Sequence, residues 1–87
     1  MYRNGLITYP AKTIMTKIAF IHKIMELNES LPENHVIELH IYKEYISISL
    51  ENKSLPYSER TLYADYSIKF NKLDNAMKHL QIEIDTL

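Results

Sequence analysis

The sequence predicts an α+β protein, a two-layer sandwich in which two helices cover one face of a three-stranded antiparallel sheet. Residues 35–51 contain two runs in which apolar and polar side chains alternate, as in strands with one buried face. A third alternating run lies at 62–70, and segments at 11–28 and 71–87 repeat apolar residues with a helical period. The order is α-β-β-β-α, and one layer of helices on one sheet buries all of these faces. We expect a single domain, 1–87.

The first helix is predicted over residues 11–28, with Pro10 at its start. Its central stripe is expected to face the sheet and consists of Ala11, Ile14, Ile18, Ile21 and Met25. Three more apolar residues widen the arc to roughly 200°, beyond the ~100° that one sheet requires. Either an arm or loop covers them, or they contact a dimer mate or partner, which makes them the candidates for self-association: Phe20, Ile24 and Leu27. Residues 1–9 are expected to form either an extra edge strand or a loose arm.

The two strands at 35–51 are predicted to pair as a hairpin in one register. With Tyr42 opposite Tyr45, every apolar side chain of the pair falls on one face: Ile37, Leu39, Ile41, Ile46, Ile48 and Leu50. A slip by one residue would turn that whole set to water. The connection Lys43–Glu44 lacks the Gly or Asn of a primed two-residue turn, so a four-residue loop is the alternative.

The third strand is predicted over 62–70, antiparallel to the second. Its alternation places one set inward: Leu62, Ala64, Tyr66, Ile68 and Phe70. Tyr63 and Asp65 then point outward, to the face that the helices leave open. Asn71 is the expected N-cap of the last helix, whose stripe closes the core: Leu73, Ala76, Met77, Leu80, Ile84 and Leu87.

Composition argues against several kinds of chemistry. The chain has no cysteine for disulfides or thiolate metal sites, and its single glycine, Gly5, excludes phosphate-binding loops. No two of the four histidines have helical ligand spacing. We therefore expect no enzyme, no catalytic residue, no metal and no cofactor. Without a signal peptide or an 18-residue apolar run, a small soluble domain in the cytoplasm of a bacterial or virus-infected host cell is expected.

Tyrosines on the outer sheet face predict protein binding, because they supply large, rigid contact area with a polar tip. The candidate surface has an acidic rim and comprises Tyr42, Tyr45, Tyr63, Glu38, Glu44, Glu51 and Asp65. Ile, Asn, Lys and Tyr, which have AT-rich codons, make up 33 of the 87 residues. This bias suggests a phage or mobile-element accessory protein. Our hypothesis is that it inhibits a host enzyme or nuclease, for example as an anti-CRISPR-like inhibitor. In this hypothesis the acidic residues of the candidate surface, together with Glu59, mimic nucleic acid.

Nucleic-acid binding is the alternative. The order α-β-β-β-α resembles that of double-stranded RNA-binding domains in topology only. The basic cluster at the start of that family's last helix is thin here, with Lys72 and Lys78 offset by Asp74. The resemblance implies duplex recognition, here by a basic first helix bearing Lys12, Lys17 and Lys23. Residues 26–65 carry a net charge of −5, which opposes phosphate binding.

Overall fold

The predicted α+β fold is confirmed by the computed structural model, which describes residues 15–87. Helix α1 (Lys17–Ser30) is followed by strands β1 (His35–Ile41), β2 (Tyr45–Asn52) and β3 (Thr61–Lys69) and by helix α2 (Leu73–Asp85). The strands form one antiparallel sheet in the order β1-β2-β3. Both helices pack on its apolar face, α1 mainly over β1 and α2 mainly over β3. The predicted N-terminal edge strand or arm lies outside the described residues.

The hairpin has the predicted register, with Ile41 opposite Ile46 and the other apolar pairs in step. Its loop is the two residues Lys43 and Glu44, because the Tyr42 N–H donates to the Tyr45 carbonyl at 2.9 Å. Within residues 15–87, Asn34 alone among non-glycine residues has a positive φ, so neither loop residue supplies a primed turn. The strand pairing, rather than favourable turn chemistry, therefore holds the register.

Helix α1 differs from the prediction at its start and in its buried face. Thr16 caps it: the Thr16 backbone is extended, and its Oγ1 accepts a hydrogen bond from the Ala19 N–H at 3.1 Å. Ile18 and Met25, expected to face the sheet, are 68% and 58% exposed. The side chains in the core are instead those assigned to self-association: Phe20, Ile24 and Leu27. That assignment is wrong, since buried core side chains cannot form a second surface.

Asn28 explains which face of α1 meets the sheet. Its Oδ1 accepts a hydrogen bond from the Ile37 N–H at 2.7 Å, and its Nδ2 donates to the Ile37 carbonyl at 3.1 Å. β1 is an edge strand, so these backbone groups have no strand partner on that side within residues 15–87. The two bonds fix the rotation of α1 about its axis. They also occupy part of the β1 edge.

Strand β3 departs from simple alternation because its register with β2 shifts twice. Ile68 pairs with Ile46 of β2, and Asp65 pairs with Ile48. The two residues between them, Tyr66 and Ser67, therefore lie opposite the single residue Ser47. A second shift occurs near the start of β3. Leu50 pairs with Tyr63 and Glu51 pairs with Thr61, so Leu62 has no partner of its own on β2. Each extra residue bends the strand and reverses which face the following side chains occupy.

The predicted faces of β3 are therefore wrong over its first half. Asp65 and Tyr63 pair with inward-facing residues of β2 and lie on the helix face, while Leu62 and Tyr66 are exposed. Tyr63 packs against the core, and burial, together with the negative charges of Asp65 and Glu83, raises the pKa of its phenol. The outer face thus loses two of its predicted contact residues.

Helix α2 buries Leu73, Ala76, Met77 and Leu80 as predicted and half-buries Ile84, but Leu87 lies beyond its end and is 46% exposed. The helix also begins differently from the prediction. Asn71 is not its N-cap: it lies within a 3-10 turn, Phe70–Lys72, and the helix starts at Leu73 without a side-chain cap. Leu73 and Leu80 are fully buried, and Ile82 is exposed as predicted.

The buried face of α1 can be tested by one pair of substitutions. Phe20→Ala should lower the free energy of unfolding by about 3–5 kcal/mol, because it removes a fully buried ring. Ile18→Ala should change it by less than about 0.5 kcal/mol, because that side chain is mostly in solvent. Urea denaturation followed by circular dichroism measures both. The opposite order of effects would show that the other stripe of α1 faces the sheet.

Candidate binding surface

The end of the hairpin presents a stacked pair of tyrosines. The rings of Tyr42 and Tyr45 have centroids 4.7 Å apart and an interplanar angle of 24°. They are 47% and 37% exposed, and Ile41 beside them is 52% exposed although its partner Ile46 is buried. A stacked pair of this kind contributes roughly 0.5–1.5 kcal/mol beyond its burial, which helps a hairpin with an unfavourable turn. We call residues 41–45 the hairpin-end surface.

Distant segments bring lysines to the same end of the molecule. Lys69, at the end of β3, is the register partner of Tyr45. Phe70 follows it, and the Lys17 Nζ at the start of α1 lies 4.5 Å from the centroid of the Phe70 ring. The hairpin loop itself contributes Lys43. The start of α1, the loop and the junction between β3 and α2 therefore meet here.

Within the part of the chain that the structure describes, no acid forms an ion pair with these lysines. The ion pairs found within residues 15–87 involve Lys23 and Lys53 only. Lys17, Lys43 and Lys69 have no described carboxylate within ion-pair distance. Among the described residues, the hairpin-end surface therefore has lysines without ion-pair partners on and beside it, with Glu44 as the acid in its loop.

The predicted acidic rim is partly neutralised. Lys53 Nζ lies 2.9 Å from Glu38 Oε2 and 2.9 Å from Glu51 Oε1, and the Ser49 hydroxyl donates to Glu51 Oε2 at 3.3 Å. The hydrogen bond from Lys53 lowers the pKa of the Glu51 carboxyl, and the same contacts raise the pKa of Lys53. Lys53 could not be recognised from the alternation, because it follows β2 outside the alternating run. The register sets Glu38 opposite Ser49, two residues from Glu51 on the same face, and this proximity of two carboxylates could have indicated it.

The seven predicted contact residues therefore do not form one surface. Tyr42, Tyr45 and Glu44 lie at the hairpin end, while Glu38 and Glu51 lie further along the outer face with Lys53. The remaining two, Tyr63 and Asp65, are on the helix face. Glu59 is in a 3-10 turn, Tyr57–Glu59, before β3. This dispersal removes the acidic array that mimicry of nucleic acid would need.

Asp65 instead lines a groove of about 350 Å³ between β3 and α2. Its floor is apolar, formed by the buried residues Ile68 and Ala76. Its rim is polar and consists of Asp65, Ser67, Lys69, Lys72, Asn75 and His79. The register shift that turns Asp65 inward was not visible in the sequence, so neither was the groove.

Residues 15–87 contain no group of three His, Asp or Glu side chains that could hold a metal ion. None of their helices combines the length and apolar character needed to cross a membrane. Comparison of the chain with protein-family models, curated proteins and solved structures finds no match.

The bridge formed by Lys53 predicts a pH effect. The pKa of Glu51 is lowered in the folded protein. Its contribution to stability is therefore fully present above pH 4.5 and is lost as the pH falls through the lowered pKa of the folded state. Carbon-13 NMR should show Glu51 titrating below 4.5 in the wild type and closer to 4.5 in Lys53→Met. Lys43→Met, which removes an unpaired lysine, is the control. A Glu51 midpoint that Lys53→Met leaves unchanged would contradict the bridge.

Proposed function

We propose that this chain is a non-enzymatic protein that binds another protein through its hairpin-end surface. The observation that carries the proposal is the exposed, stacked pair Tyr42–Tyr45 beside the half-exposed Ile41. Aromatic side chains held in one arrangement before binding lose little conformational entropy on binding. An adjacent apolar residue adds area whose burial favours association.

The sheet edges support this choice of surface. Strand addition to an exposed edge is a common way to bind a peptide. Here the side chain of Asn28 occupies the β1 edge at Ile37, and two register shifts interrupt β3. Proteins commonly use such features to prevent edge pairing. A long added strand therefore fits this sheet less well than a contact at the hairpin end.

The proposed role is that of a cytoplasmic accessory protein from a phage or mobile element, which inhibits a host enzyme or nuclease by occupying its surface. Support for this part of the proposal comes from the AT-rich residue usage and the absence of cysteine. Inhibition would follow from steric block by the hairpin end, because the acidic residues are dispersed over several faces.

The nucleic-acid alternative has less support from the first helix. Of its three predicted lysines, Lys12 lies outside the described residues, and Lys23 is 3.9 Å from Glu26. Lys17 and Lys23 are six residues apart, which places them about 120° apart around the helix. They therefore do not share a face. Because lysines lie around the hairpin end, the binding experiment must also be able to detect nucleic acid as the partner.

The proposal predicts that Tyr42→Ala with Tyr45→Ala abolishes capture of a protein partner by the tagged chain while leaving the fold intact. Tyr57→Ala is the matched control, because Tyr57 is 87% exposed on the 3-10 turn before β3. Quantitative mass spectrometry after nuclease treatment measures the capture, and circular dichroism verifies folding.

A partner retained equally by the folded double variant would refute the proposed surface. Capture that disappears on nuclease treatment would favour the nucleic-acid alternative instead.

A further inference from the structure

The groove between β3 and α2 has the features of a peptide site. Its floor, Ile68 and Ala76, is apolar, and its rim carries Lys69, Lys72 and His79. Most of the rim is exposed to solvent, so the groove would leave a small ligand largely uncovered. An extended peptide needs less enclosure, because each residue contributes a modest contact area. We propose that this groove binds a short acidic peptide segment, with one apolar side chain on the floor and carboxylates at the lysine end.

The charge of the rim supports an acidic occupant. Within residues 15–87, neither Lys69 nor Lys72 forms an ion pair, and Asp65 is the one acid among the lining residues. Lys72 also directly precedes α2, whose first turn has no side-chain cap. That turn also carries Asp74, which does not line the groove. A basic peptide would be repelled at this end of the groove.

The backbone of β3 can help to orient the peptide. Backbone groups of an antiparallel strand point alternately toward and away from its neighbour. The Tyr45 carbonyl accepts its hydrogen bond from Tyr42 on the β1 side, so the N–H and C=O of its β3 partner, Lys69, point to the open edge. The two register shifts interrupt the edge further back and limit regular pairing to a short segment. The occupant is thus bound mainly through its side chains.

The groove goes beyond the proposed function, and different variants test the two sites. The probe is a fluorescein-labelled peptide, Glu-Glu-Ile-Glu-Glu, titrated with the full chain and followed by anisotropy. Lys72→Glu should weaken binding about tenfold, equivalent to about 1.4 kcal/mol. The matched control Lys78→Glu, on an exposed position of α2 outside the groove, should change it less than about twofold.

Nitrogen-15 NMR of the full chain locates the site: the peptide should shift the amide signals of residues 64–69 and 72–79. Ser67→Trp, which narrows the rim without changing charge, should also weaken binding. Tyr42→Ala with Tyr45→Ala should leave it unchanged, so a failed hairpin-end surface would not imitate a failed groove.

Three results would overturn the proposal. One is equal weakening by Lys72→Glu and Lys78→Glu, which would mean non-specific charge attraction. Another is no amide shift in the groove at millimolar peptide. The third is binding of a 20-base-pair RNA duplex that Lys72→Glu abolishes while the peptide does not bind, which would assign the groove to nucleic acid.

Discussion

The register between β1 and β2 is the constraint on which the rest of this structure depends. It places Ile46, Ile48 and Leu50 of the central strand on one face, where all three are essentially fully buried. Burying each such side chain contributes about 1.5–3 kcal/mol, so a slip by one residue would forfeit most of the core. The same alternation obliges Tyr42 and Tyr45 to leave the core together at the hairpin end. The exposed aromatic pair is thus a consequence of the pairing that builds the core.

The hairpin could be predicted from sequence because its alternation is regular and one register satisfies every apolar residue. Helix α1 could not be predicted as fully, because its sequence contains two overlapping apolar stripes. Hydrophobicity alone does not choose between the stripe containing Ile18 and the one containing Phe20. The choice depends on the Thr16 cap and on the bonds between Asn28 and the Ile37 backbone, which join residues that periodicity treats as unrelated.

The site was predictable to the same limited degree. The tyrosines flanking the loop follow from local alternation, whereas Tyr63 and Asp65 follow from register shifts that alternation cannot reveal. The positive surroundings of the hairpin end come from Lys17 and Lys69, which are far apart in sequence. Lys53 neutralises acids that composition alone presents as a negative surface. Charge summed along the chain therefore gave the wrong electrostatic character for the contact surface.

The most direct test of the hairpin-end surface is site-specific photo-cross-linking in the native host. p-Benzoylphenylalanine replaces Tyr42 in one variant and the remote, exposed Tyr57 in another. Our account predicts that the Tyr42 position forms a nuclease-resistant, protease-sensitive adduct with one protein and that the Tyr57 position does not. Equal adducts at both positions, or an adduct at Tyr42 that nuclease removes, would contradict it.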